Sequence, residues 1–173
     1  MDESRLVPLA PETLLSDSDY VGVRLEEGTV PSGPLAGMAL ESSLLVRVRG
    51  AGLRCSNLRL SDVVLRDCDF ANAIWEKAHG VAVLCSKCRL TGWNFSDGVL
   101  RHAHFLGCKL DLALFHQATL SDCHFEQCLL VEADFQGARL KNVQFDRCDL
   151  RGARFAAATL AAIDFRGSPL AGA

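Results

Sequence analysis

The chain has 173 residues, enough for one domain with a core of its own. Hydrophobic residues make up 49% of it, which excludes a disordered chain, and a net charge of −3 excludes a strongly basic or strongly acidic protein. No apolar run approaches the roughly 20 residues that span a bilayer, and the acidic start Met1-Asp2-Glu3-Ser4-Arg5 lacks a secretory n-region and h-region, so a cytoplasmic protein with no membrane contact is expected.

Residues 1–35 contain Pro8, Pro11, Pro31 and Pro34 and are expected to form an irregular N-terminal cap with a first partial coil. Leu6, Val7, Leu9, Leu14 and Leu15 in this stretch need burial. Over residues 36–173 a period of five governs the chain, and its register already holds at Tyr20, Leu25, Val30 and Leu35. It passes through Leu40, Leu45, Leu60, Leu65, Phe70 and Trp75, with Gly50, Cys55, Gly80 and Cys85 as weak positions. From Leu90 to Leu170, Leu and Phe alternate without interruption. Two residues before each lies a column of small apolar residues such as Ala103, Cys108, Ala113 and Cys123, in which Trp93 is the exception. Two residues after each comes a turn-forming residue such as Gly92, Asp97, Gly107 or Asn142. Nine of the fourteen glycines fall there, which marks a corner.

Neither regular element can use such a period. On an α-helix, steps of five make no stripe, and on a strand an odd step flips the side chain to the other face. The pattern works only if the chain turns once per repeat, with one large and one small residue pointing inward. Alternation of Leu with Phe requires an even number of repeats per coil if like is to stack on like. Cys68, Cys88, Cys108, Cys128 and Cys148 recur at a spacing of twenty, which selects four repeats per coil. The expected fold is therefore an all-β, four-sided β-helix of about seven and a half coils, roughly 35 Å long at the ~4.8 Å spacing of stacked strands.

Outward positions divide into charged and apolar groups. Arg47, Arg49, Arg54, Arg59 and Arg66 crowd the early coils, whereas Asp122, Glu126, Glu132, Asp134, Asp146 and Asp149 lie in the later ones. These acids either keep β faces solvated or form a patch that meets a basic partner. No aromatic stacking platform accompanies the basic end, so direct nucleic-acid binding is not expected. Leu44, Val64 and Leu84 form one outward stripe near Val46 and Val81, which the N-terminal residues are placed to cover. Leu112, Leu114, Leu129 and Val131 form a second group, a candidate partner surface.

Five stacked thiols invite a metal or disulfide reading, but a small inward column favours cysteine as an apolar filler. His102, His104 and His124 lie on one side with no carboxylate that the repeat sets beside them, so no metal and no cofactor are expected. No nucleophile elbow, P-loop or HExxH motif is present, and no enzyme is expected.

Segments such as Ala133-Asp134-Phe135-Gln136-Gly137, Cys148-Asp149-Leu150-Arg151-Gly152 and Cys68-Asp69-Phe70-Ala71-Asn72 resemble the A(D/N)LXX motif of the pentapeptide-repeat family. The resemblance covers about residues 40–172 and implies a right-handed quadrilateral β-helix. It also implies a non-enzymatic protein. Well-understood members mimic B-form DNA, bind DNA gyrase or topoisomerase IV, and protect type II topoisomerase from quinolones or albicidin. This chain departs from them in having no register-breaking loop insertion and no C-terminal amphipathic helix. Residues 41–170 also hold sixteen Lys and Arg against fourteen Asp and Glu. The expectation is a macromolecule-binding rod, most specifically a topoisomerase-protecting DNA mimic, the alternative being a structural or adaptor module. A homodimer formed by stacking two C-terminal coils is expected with either.

Overall fold

The structure, a computed structural model, describes residues 2–172; Met1 and Ala173, the outermost residues of the expected cap and solenoid, lie outside the described residues. From Asp17 to Gly172, every fifth residue except Ser32 has φ between 45° and 76°. This is the left-handed region, which disfavours bulky and β-branched side chains. The chain obeys that rule: no Val, Ile, Thr, Phe, Tyr or Trp occupies one of these corners. At Gly92 two constraints coincide, because φ is +67° and an added Cβ would collide with the Asn72 side chain one coil below.

Four corners close one coil, and the coils pair in parallel at a sequence spacing of twenty. Leu120 stands opposite Leu100 and Leu140, and Phe125 opposite Phe105 and Phe145. The result is the all-β, right-handed, four-sided solenoid, of about eight turns. We number the faces along one coil. In residues 119–138 the first face is the strand Thr119–Ser121 and the second is His124–Glu126. The third and fourth, at 129–131 and 134–136, join their neighbours through single parallel bridges such as Leu129 to Asp149 and Asp134 to Arg154. No helix among the described residues is long and apolar enough to cross a membrane.

The interior is a set of stacked like residues. Leu90, Leu110, Leu130 and Leu150 line the third face, and Leu100, Leu120 and Leu140 the first, all buried. Phenylalanines fill the second and fourth. Phe105 and Phe125 stack with centroids 4.8 Å apart, Phe125 and Phe145 at 5.1 Å, and Phe115 and Phe135 at 4.8 Å. Adjacent columns meet edge to face, as at Phe115 and Phe125. Parallel stacking is not the preferred aromatic geometry, so the ~4.8 Å coil spacing imposes it. The weak positions are filled from neighbouring coils. Phe70 leans into the space at Gly50, and Leu100 into that at Gly80. Trp93, too large for its column, packs against Trp75, Phe95 and Phe115. Gly98, the next small position, leaves room for the Phe95 ring.

The N-terminal residues close the lower end. The strand Val7–Leu9 pairs with Val23–Leu25 at a spacing of sixteen, not twenty. It adds a further partial turn that the five-residue period does not reveal. Leu14 enters the interior and is 2% exposed. The turn Glu3–Arg5 rises along the outside of the second face, where Glu3 meets Arg66 at 3.1 Å. Beneath it the outward Leu44 and Val46 are buried outside the interior cluster. The solenoid itself is under way at the strand Asp19–Val21, and the expected division after residue 35 falls inside the strand Leu35–Ala36.

Because Phe125 touches rings above, below and beside it, Phe125→Ala is expected to destabilise the fold by about 3–5 kcal/mol in denaturant unfolding. A loss under about 1 kcal/mol would mean that the aromatic columns do not carry the core.

Candidate partner-binding surface

The interior offers no room for a substrate. A gap in it lined by apolar side chains including Leu14, Met38 and Trp75 measures about 20 Å³, enough for about one water molecule and too apolar to hold it. Any chemistry belongs to the outer faces.

The acidic residues expected to form one patch are distributed around the rod. Asp122 sits at the corner between the first and second faces, where Asn142 donates a hydrogen bond to it at 2.6 Å. Glu126 and Asp146 stack on the second face, and Arg147 lies 3.1 Å and 3.0 Å from them. Asp149 is on the third face, paired with Arg151 at 2.6 Å. Glu132 is at the corner between the third and fourth faces, exposed. Asp134 is on the fourth face and is 4% exposed. Its Oδ2 lies 3.0 Å from His116 Nε2 and 3.1 Å from Arg154, and its Oδ1 accepts the Gln136 N–H at 2.9 Å.

Local chemistry decides these charges. Burial opposes ionisation of Asp134, yet the imidazole of His116, the Gln136 N–H and the Arg154 guanidinium together hold its carboxyl below the usual carboxylate range. The Arg151 side chain does the same for Asp149. Asp164, which the sequence reading passed over, adds a third carboxylate to the second face and pairs with Arg166.

The early arginines also disperse. Arg47 occupies a corner beside Glu26 and Glu27, Arg59 meets Asp19 at 3.0 Å on the first face, and Arg66 meets Glu3 on the second. Arg49 and Arg54 belong to the third and fourth faces. The first face of the later coils instead carries Arg101, Arg139 and Lys141, all exposed and with no ion pair among the described residues. Charge thus separates by face as well as along the rod.

The second apolar group does come together. Leu112 is 52% and Leu129 42% exposed, while Leu114 and Val131 are half-buried beside them. The Leu112 N–H donates to the Val131 carbonyl, so the two lie on adjacent coils. Leu112 is conspicuous at a corner with φ of 59°, where a polar residue or glycine would be more at ease.

The cysteine column is structural. The thiols of Cys68, Cys88, Cys108, Cys128 and Cys148 each donate to the carbonyl 23 residues earlier, at 3.3–3.5 Å. Ser168 continues the column and donates to the Phe145 carbonyl at 2.8 Å. All eight cysteines are free and buried. Outside the column, burial pushes the Cys55 thiol up to about 12 and the Cys123 thiol up to about 11.

The histidines correct the sequence reading. His102 is at a corner, apart from the others. His104 and His124 stack, and Glu126 places a carboxylate oxygen 3.4 Å from His104. Along their own column the two histidines are followed by Gln144. The diagonal neighbour, two residues on in the next coil, supplies the carboxylate.

Residues 100–173 match the family model described as pentapeptide repeat region. The match falls on the later coils, where the five-residue period is unbroken, and it agrees with the four-sided coil. Among solved structures it is similar to QnrB1, a plasmid-mediated fluoroquinolone resistance protein, at 16% identity and a TM-score of 0.58 over 90% of this chain and 92% of that one. It is also similar to HetL, a pentapeptide repeat protein involved in heterocyst differentiation regulation from the cyanobacterium Nostoc sp. strain PCC 7120. That similarity has 17% identity and a TM-score of 0.46 over 95% and 89% of the two chains. At such identity the QnrB1 likeness establishes the fold. No curated protein matches the chain.

Asp134 generates a test of the local electrostatics. Its folded pKa lies below the unfolded value of about 3.9, so its contribution is complete above that pH and is lost as pH falls through the folded value. Asp134→Ala is expected to cost about 1–3 kcal/mol at neutral pH by stranding the Gln136 N–H, the His116 imidazole and the Arg154 guanidinium. It should also flatten the acid limb of a stability–pH curve. An unchanged acid limb would show the carboxylate to be idle.

Proposed function

We propose that the chain is a non-enzymatic, rod-shaped module that binds another protein through its outer faces. The observation that carries this reading is the filled interior, which leaves only a rigid external surface for recognition. Our specific reading of the partner is a type II topoisomerase, DNA gyrase or topoisomerase IV, shielded in the cytoplasm from quinolone-type inhibitors by a mimic of DNA. The fold shared with QnrB1 supports this, as do the carboxylates of the second face, where Glu126 and Asp146 share one column and Asp164 lies in the neighbouring one. A homodimer belongs to the same proposal, because Leu160 and Leu170 of the last coil are 46% and 41% exposed.

A second reading, an adaptor unrelated to topoisomerase, is favoured by one observation: the exposed Leu112 and Leu129 with Leu114 and Val131 form an apolar surface on the third and fourth faces, away from the acidic column.

A gyrase supercoiling assay with a quinolone, titrating the purified protein, separates the two. The topoisomerase reading expects protection at micromolar protein. It further expects protection to fall at least about tenfold, or 1.4 kcal/mol, in an Asp146→Lys/Asp164→Lys variant and to persist in Leu112→Asp/Leu129→Asp. No effect of the wild-type protein would remove that reading and leave the adaptor, whose binding the Leu112→Asp/Leu129→Asp variant would abolish. The mass of the same preparation in solution checks the dimer.

A further inference from the structure

On the second face two histidines join one of its carboxylates in a group of metal-ligating side chains. His104 and His124 hold the same position in successive coils and are paired residue to residue. Their rings stack with centroids 4.7 Å apart and planes 5° from parallel. Glu126 follows His124 by two residues and points to the same side, so its carboxylate lies diagonally across from His104, with Oε2 3.4 Å from Nε2. Ligand atoms of all three lie within 4.8 Å of one another.

Two further features point to a ligand. His104 Nε2 is shut off from solvent and faces the Glu126 carboxylate at 3.4 Å without a well-directed hydrogen bond, a geometry that an ion between them would satisfy. Arg147 meanwhile holds the other oxygen of Glu126 at 3.1 Å, which orients the carboxylate and leaves Oε2 turned toward the histidines. Such outer partners are what fix a ligating side chain in place. Leu84 below and Gln144 above bound the pair, so the histidine column has two members. Beside it opens a depression lined by His124, Gln144, Asp146, Asp164 and Arg166.

We propose that His104, His124 and Glu126 bind one divalent transition-metal ion of the Zn²⁺ class, with at least one coordination position left to water in the adjoining depression. Two imidazole nitrogens and one carboxylate oxygen suit Zn²⁺ and its neighbours, whereas Mg²⁺ and Ca²⁺ select oxygen alone. Metal–nitrogen bonds of about 2.0–2.1 Å require the ring tips to converge. The outer torsion of histidine is broad, so the rings can tilt while the backbone keeps its strand spacing. The thiols do not compete in the folded protein, because every cysteine is buried.

Metal-free full-length protein titrated with Zn²⁺ by calorimetry, and with Co²⁺ by visible absorption, tests this. The expected result is one ion per chain at a Kd in the micromolar range or tighter, and a Co²⁺ spectrum without a thiolate charge-transfer band. His124→Ala and Glu126→Gln should each weaken binding by about tenfold or more, and His102→Ala, at the neighbouring corner, should not. Thermal melts of each variant establish that it is folded, and Glu126→Gln, which preserves shape, keeps the test decisive if a histidine variant is not. Absence of stoichiometric binding overturns the proposal, as does binding that survives both His104→Ala/His124→Ala and Glu126→Gln. Neither outcome depends on whether the protein protects a topoisomerase.

Discussion

Coils stacked at the spacing of a parallel sheet are the constraint on which the rest of this molecule depends. A chain that returns above itself every twenty residues must turn four times, and it does so at a left-handed residue in every repeat but the one at Ser32. Once the corners are set, the residues between them have no choice of direction. One large and one small side chain face inward and the others face out. Like then stacks on like, and the Phe105, Phe125 and Phe145 rings lie nearly parallel because the backbone hydrogen bonds of the coils hold them there. The left-handed conformation at residues such as Leu112 and Gln117 is costly locally. It persists because the neighbouring coils supply the hydrogen bonds, as from Leu112 N–H to Val131 and from Gln117 N–H to Gln136.

The same constraint divides labour between inside and outside. Inward positions are exhausted by packing, and the cysteine column, with a serine as its last described member, is explained by small size and a donated hydrogen bond. Function is therefore written on outward columns whose residues neighbour one another at spacings of twenty and of eighteen to twenty-two. Glu126 beside His104 and Arg147 beside Glu126 are such diagonal neighbours. A partner reads the rod face by face, so the balance of charge on each face matters more than the balance along the chain.

The inward half of the structure was legible in the sequence because the repeat has no insertions: the Leu and Phe columns, the corners and the twenty-residue coil all follow from one register. Less legible was whatever departs from that register or crosses it. The strand Val7–Leu9 pairs at an offset of sixteen, which no period of five announces. The acidic residues looked like one group because they are close in sequence, but Asp149 and Asp134 stand on different faces from Asp146. Asp134 is buried between the His116 imidazole and the Arg154 guanidinium, one a diagonal neighbour and the other its partner in the next coil.

The most direct test of the account removes chain in units of the coil. Deleting residues 119–138 takes out one full turn and brings like residues back into stack. Deleting residues 119–123 removes a single side and sets Phe over Leu, and Leu over Phe, around the whole junction between the coils below and above the cut. The account predicts that the twenty-residue deletion keeps a cooperative unfolding transition close to that of the parent. The five-residue deletion, though it removes far less protein, should lower the midpoint much further. A five-residue deletion as stable as the twenty-residue one would contradict the claim that stacking in register holds this protein together.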